Sequence, residues 1–266
     1  MKSRLGEMES QFFAYTQMRD ITKVRSGDLE GPLGLTGDQE RRLLSRLAAA
    51  GIIVRVQRGL YLLPPRLPLG GAWDPGEALA LTTLMEEQNA RYQVCGPNAF
   101  NRYGFDEQIP LRTYVYNTGI SGDRKVGKVA FTLIKVAEQR LGDTEEFSTQ
   151  GGQVLVYSSR VRTLVDAVYD WSRFNSLPRG YDWICQELSS GRISPERLVD
   201  SAARFGDVGT KRRIGFLLDR EGVGQALLQR LRAGLKETSS PIPWIPTKPK
   251  IGKADSRWGV VDNASA

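Results

Sequence analysis

The sequence predicts an α+β protein, with an N-terminal winged helix-turn-helix followed by a larger mixed α+β C-terminal domain. Three observations carry this. Three helical patterns and then two short apolar runs joined across a glycine turn fill the first 63 residues. A proline- and glycine-rich break follows, Pro64-Pro65-Arg66-Leu67-Pro68-Leu69-Gly70-Gly71, whose prolines cannot extend a sheet. Beyond it, strand and helix patterns mix without an internal repeat or heptad. At 266 residues the chain is long for one domain and comfortable for two. The expected division is residues 1–64, a linker at 65–73, and residues 74–266.

From Met8 to Arg19 the apolar positions Met8, Phe12, Phe13, Tyr15 and Met18 recur at helical spacing and predict a first helix. Ser26 is placed to cap a short second helix over Gly27–Glu30, which Gly31-Pro32-Leu33-Gly34 should break. Thr36 with Gln39 has capping-box spacing and opens a third helix through Ala50, stopped at Gly51. Leu43, Leu44 and Leu47, with Ala48 and Ala50, should face inward; Gln39, Arg42, Arg46 and Ala49 form the outward stripe. Ile52–Val56 and Leu60–Leu63 read as strands of a hairpin turning at Gln57-Arg58-Gly59.

In the second unit, Asp74 should cap a helix with Pro75 at its first position, reaching about Asn89, and Asn98–Tyr103 a shorter one. Arg112–Asn117, Lys128–Val136 and Gln153–Tyr157 have strand composition, with a turn-rich Thr118–Gly127 between the first two. Helices are expected at Val161–Trp171, Tyr181–Ser189, Pro195–Phe205, Thr210–Glu221 and Gly224–Leu235. The proline-punctuated Pro241–Pro249 should be extended.

The net charge of +7 favours a polyanionic partner. Its excess sits at the two ends: +4 over residues 1–68, −3 over 69–196 and +6 over 197–266. The chain has no histidine, which removes imidazole acid/base catalysis, the Ser-His and Cys-His pairs and the usual metal sites. Cys95 and Cys185 lie far apart in apolar or aromatic surroundings, as buried thiols in a reducing compartment would. Met1–Phe13 has charges and no apolar h-region, and no run long enough to span a bilayer follows. A cytoplasmic, nucleoid-associated protein without membrane contact, cofactor, metal or enzymatic activity is the expectation.

The N-terminal constellation predicts binding to double-stranded DNA. Arginine reads guanine and glutamine reads adenine bidentately in the major groove, so Gln39, Arg42 and Arg46 suit a recognition helix. Arg55 and Arg58 on the hairpin suit phosphates or the minor groove, and Arg25 the backbone; Thr36 and Gln57 complete the expected set. Gly122-Asp123-Arg124-Lys125-Val126-Gly127-Lys128 has phosphate-loop spacing, but Val129 stands where a magnesium-binding Ser or Thr is needed and a strand follows. A solvated hairpin turn is the better reading.

Lys211, Arg212 and Arg213 open a helix, where the dipole disfavours cations. They are either a surface for a phosphate, RNA or acidic partner, or structural ion pairs with Asp207 or Glu221. Asp106 with Glu107, Glu145 with Glu146, and Asp166 with Asp170 are paired carboxylates by type alone; Arg162 and Arg173 are near enough to neutralise the last pair. Tyr157, Tyr169, Trp171, Phe174, Tyr181 and Trp183 are assigned to the core rather than to a base-stacking platform.

Four passages, in order, resemble the AbiEi-type antitoxins of bacterial type IV abortive-infection toxin–antitoxin pairs. They are Gly51–Pro64, Gly96–Phe105 with Gln108-Ile109-Pro110, Arg162-Thr163-Leu164-Val165-Asp166-Ala167, and Lys211-Arg212-Arg213-Ile214-Gly215-Phe216-Leu217-Leu218-Asp219. The resemblance implies a winged helix that binds inverted repeats in its own promoter and represses it. It also implies a C-terminal domain that counteracts a nucleotidyltransferase-like toxin, with no stable toxin–antitoxin complex required. The competing readings are a stand-alone regulator of the same architecture, a nucleic-acid-modifying enzyme using Asp166 or Glu107 with a metal, and an RNA- or protein-binding scaffold built on Lys211–Arg213 and the tail.

Overall fold

The computed structural model describes residues 6–68, 72–149, 151–236 and 239–264. Of the expected linker, residues 69–71 lie outside the described residues, as do residues 1–5 of the first unit. The fold is mixed α and β with several sheets.

The first unit consists of α1 (Glu7–Met18), β1 (Lys23–Arg25), α2 (Glu30–Leu33), α3 (Gly37–Ala49), β2 (Val54–Gln57) and β3 (Leu60–Leu62). α1 and α3 lie where the apolar spacing places them. α2 does not: it occupies Glu30-Gly31-Pro32-Leu33, the stretch expected to break it, and ends at a left-handed Gly34. Proline is tolerated there because the first turn of a helix leaves its N–H groups unbonded anyway. Ser26 instead donates its backbone N–H to Gly59. Ala50, expected inward, is exposed because it is the C-cap, past the last packed turn.

β1, β3 and β2 form an antiparallel sheet in that order, with Val24 opposite Tyr61 and Val54 opposite Leu62. The alternation along Leu60–Leu63 assigns its two faces. Tyr61 and Leu63 join Phe12, Phe13, Leu43, Leu44 and Leu47 in the core beneath the helices. Leu60 and Leu62, with Val54 and Val56, enter a second core with Ala80, Leu81 and Leu84 of α4 (Gly76–Glu87). A strand buried on both faces reads as a continuous apolar run. The proline-rich connection therefore joins two units that share this sheet.

α4 starts one residue later than its capping pattern implies: Pro75 is the N-cap and Asp74 accepts the N–H of Gly76 at 2.9 Å. Then come β4 (Tyr92–Val94), α5 (Pro97–Arg102), β5 (Thr113–Asn117), β6 (Gly122–Val126), β7 (Val129–Lys135), β8 (Thr144–Ser148) and β9 (Val154–Ser158). They build a six-stranded sheet in the order β6-β7-β5-β4-β9-β8. β5–β7 and β4–β9 are parallel and the remaining pairs antiparallel. The turn-rich reading of Thr118–Gly127 is corrected by β6. Both edge strands, Gly-Asp-Arg-Lys-Val and Thr-Glu-Glu-Phe-Ser, are charged, as exposed edges usually are.

The C-terminal part packs α6 (Arg160–Tyr169), α7 (Trp171–Phe174), α8 (Arg179–Ser189), α9 (Pro195–Phe205), α10 (Val208–Arg220) and α11 (Gln225–Arg232). The tail closes over them with β10 (Ile242–Pro243), β11 (Lys253–Asp255) and β12 (Val260–Asp262), so only part of Pro241–Pro249 is plain extended chain. Trp258, 1% exposed, lies against α10 where residue 215 is glycine; a Cβ there would stand 2.0 Å from the indole. Tyr181 stacks on Trp244 at 3.6 Å and donates its hydroxyl to the Trp244 carbonyl at 2.8 Å.

Candidate nucleic-acid interface

α3 is fixed at its start by the capping box that Thr36 and Gln39 predict. Thr36 Oγ1 accepts the Gln39 N–H at 3.3 Å and Gln39 Oε1 accepts the Thr36 N–H at 2.8 Å. Glu40, outside the expected set, is buried on the inner side of the helix. Its carboxylate accepts the N–H groups of Gly27 at 2.6 Å and Leu29 at 3.0 Å. That locks the Ser26–Asp28 loop to the first turn of α3, and Ser26 bonds to the hairpin turn at Gly59. The first turn of α3, the loop and the hairpin turn are therefore one connected edge. The signal was available: Glu40 precedes Leu43 and Leu44 by three and four residues, on the buried side.

The opposite side of α3 exposes Asp38, Gln39, Arg41, Arg42, Ser45, Arg46 and Ala49. Arg42 has no hydrogen bond or ion pair among the described residues. Arg41, absent from the expected set, pairs with Asp38 at 3.0 Å; both side chains are more than 70% exposed, so the pair is weak. Arg46 bonds Glu9 of α1 at 2.8 Å. On the hairpin, Arg58 is exposed and has no partner among the described residues, and Arg55 donates only to the Gln57 carbonyl at 3.3 Å.

Four of the expected residues have tasks inside the fold. Thr36 and Gln39 cap α3. Arg25 is held at 2.5 Å by Glu87, and Gln57 accepts from Gln88 at 3.3 Å, so the last turn of α4 and its C-cap hold both. Lys23 is paired there too, with Glu86 at 3.2 Å. Arg46 is likewise tied to Glu9, so the outward surface is narrower than the sequence suggests: Arg41 and Arg42 on the helix, Arg55 and Arg58 on the hairpin.

Of the basic triad on α10, Lys211 is half-buried while Arg212 and Arg213 are mostly covered. Arg212 and Arg213 are 9% and 8% exposed. Arg212 donates to the Lys236 carbonyl at 3.2 Å, and Arg213 to the Pro243 carbonyl at 3.3 and 3.4 Å. Burial pushes Arg213 below the ordinary guanidinium value. The carbonyls of the folded-back tail, not Asp207 or Glu221, are the partners.

Four of the six paired carboxylates have partners inside the fold. Asp166 is buried between Arg162 at 2.9 Å and Arg140 at 2.6 Å, and Asp170 pairs with Arg173 at 3.5 Å. Asp106 pairs with Arg179 at 2.8 Å, while Glu107 is exposed; Glu145 accepts from the Tyr103 hydroxyl at 3.1 Å. No group of three or more carboxylate or thiol side chains placed to hold a metal occurs among the described residues. Gly122–Lys128 is strand β6 and its turn, not a cradle ahead of a helix. Cys95 is buried and Cys185 half-buried, so the second thiol is less enclosed than expected; burial raises both, Cys185 to about 11. Among the described residues no helix is long and apolar enough to cross a membrane.

A family of unknown function, DUF6088, matches residues 35–156, from the residue before the α3 N-cap into β9. No curated protein matches the chain. Among solved structures, the crystal structure of the RV2827C protein from Mycobacterium tuberculosis is similar. It shares 18% identity over 98% of this chain and 92% of that one, with a TM-score of 0.56. At that identity the likeness concerns the fold, and it extends over both units.

Proposed function

We propose that this chain is a DNA-binding autorepressor whose first unit is a winged helix-turn-helix, and that it serves as the antitoxin of a type IV pair. The observation that carries the DNA reading is the placement of cations without internal partners. Arg42 on the exposed side of α3 and Arg58 at the hairpin turn flank a loop tied to both elements. The order helix, strand, helix, helix, hairpin, with β1 added beside β3, supports the winged-helix reading. α3 enters the major groove, Arg42 and Arg41 reach base edges or flanking phosphates, and Arg55 and Arg58 hold the backbone beside it. The antitoxin role rests on the resemblance of the four sequence passages, and its counterpart is a nucleotidyltransferase-like toxin that need not be touched directly.

The test is operator binding to DNA upstream of this gene, measured against salt. Arg42→Ala should weaken binding by about 1–3 kcal/mol and relax sequence preference. Arg58→Ala should weaken it evenly over sequences and lower the salt slope by about one. Unchanged affinity in both variants would overturn the interface. Co-expression with the neighbouring toxin candidate tests the second half: relief of toxicity supports the antitoxin, and operator binding without relief leaves a stand-alone regulator.

A further inference from the structure

The largest charge excess of the chain lies in its last seventy residues, and DNA binding by the first unit leaves it unused. Part of it converges on one small cleft, lined by Arg212 of α10, Arg232 of α11, Lys236 just after α11, and Ser256, Arg257 and Trp258 of the turn between β11 and β12. Arg232 and Lys236 are exposed and have no side-chain partner among the described residues. Arg257 is partly neutralised by Asp219, at 2.7 and 2.9 Å, and also bonds Gln225. Among the described residues Arg212 makes one hydrogen bond, to the Lys236 carbonyl, and it lines the cleft.

Four cations from three segments, α10, the end of α11 and the turn between β11 and β12, thus surround this space, and Asp219 is already bonded to Arg257 and to the Trp258 indole N–H at 2.9 Å. Convergent like charges repel, so an anion here lowers the energy. A phosphate group carries about −1.5 to −2 charge and three strong acceptor oxygens. That matches two guanidinium forks, an ammonium and the Ser256 hydroxyl better than a single carboxylate does.

The cleft is small, about 330 Å³ including its open mouth, against about 1290 Å³ for the groove beside α5. It admits a phosphate end and no length of polynucleotide. We propose that this C-terminal cleft binds the terminal phosphate of a phosphate-bearing ligand, of the nucleotide or pyrophosphate class, independently of the DNA surface.

Calorimetric titration of the full chain with inorganic pyrophosphate, a nucleoside triphosphate, and 5′-phosphorylated and 5′-hydroxyl RNA oligomers tests this. One saturable site is expected for the pyrophosphate and the nucleotide. The double variant Arg232→Ala/Lys236→Ala, whose side chains have no hydrogen bond or ion pair among the described residues, should weaken it at least about tenfold. The pair Arg42→Ala/Arg58→Ala should leave it unchanged, which separates this site from the DNA surface. A preference for the 5′-phosphorylated oligomer extends the ligand class to nucleic-acid ends. No saturable heat, equal affinity in the double variant, or equal and cleft-dependent binding of the 5′-hydroxyl oligomer would each overturn the proposal.

Discussion

Arg41 and Arg42 on α3 stand in solvent, whereas Arg212 and Arg213 on α10 are less than a tenth exposed and bonded to main-chain carbonyls. Both are adjacent pairs of arginines in helices of 13 residues. The difference lies in how many sides of each helix are covered. α3 buries Glu40, Leu43, Leu44 and Leu47 along one arc, and every exposed residue falls opposite. α10 is buried at Thr210 and continuously from Arg212 to Leu218, because other helices cover one side and the tail, through Trp258, the other. A basic pair marks a surface only where the helix has an uncovered side. On α10 the guanidinium groups are the means by which the tail is attached.

The largest expected effect breaks that attachment. Trp258→Ala empties a site against Gly215 and should cost about 3–5 kcal/mol in urea unfolding, with operator affinity in the folded fraction unchanged. A midpoint that stays put would mean that the tail does not hold α10.

The next pair sharpens the contrast by exchanging readouts. Arg213→Met keeps the apolar stem but leaves the Pro243 carbonyl unbonded, so stability should fall by about 1–3 kcal/mol and operator affinity should hold. Arg42→Ala should do the reverse, with stability within about 0.5 kcal/mol of the parent and weaker operator binding. If Arg213→Met weakened the operator instead, the two arginine pairs would have to be reassigned.

How each pair was legible follows from range. α3 and its capping box could be read because their determinants lie within about four residues, and Thr36→Ala should accordingly cost about 1 kcal/mol of stability. The hairpin was legible for the same reason. Its second buried face was not, since Leu60 and Leu62 find α4, whose first turn lies about fifteen residues further on. β6 and β8 escaped because an edge strand needs no apolar alternation: Arg124 and Lys125, or Glu145 and Glu146, meet solvent. α2 escaped because Gly31 and Pro32 oppose a helix by propensity, while the loop that leads into it is fixed by Glu40, 11 and 13 residues from its two partners. For the interface, type and phase gave Arg42 and Arg58. The diversion of Arg25 and Gln57 to α4 is tertiary and could not be read locally.

The smallest expected effect concerns that diversion, where one residue sits between the two behaviours. Arg25 is exposed like Arg42 yet bonded like Arg213, and its partner Glu87 has only 5% of its side chain exposed. Glu87 already neutralises this guanidinium, so on the proposed DNA-binding reading Arg25 should contribute little to counterion release while the pair is closed. Glu87→Gln keeps the shape and a hydrogen bond but removes the charge. Stability should fall by about 1 kcal/mol, because a charge-assisted bond becomes a neutral one. Operator affinity should rise by a few tenths to about 1 kcal/mol, with a salt slope steeper by up to about one, as one more cation becomes available to phosphate. Arg25→Ala alone should leave the slope of the parent nearly untouched, and in the Glu87→Gln background it should abolish the gain. A slope that does not change in Glu87→Gln would place Arg25 permanently with the buried arginines of α10, as part of the joint between the two units rather than of the DNA surface.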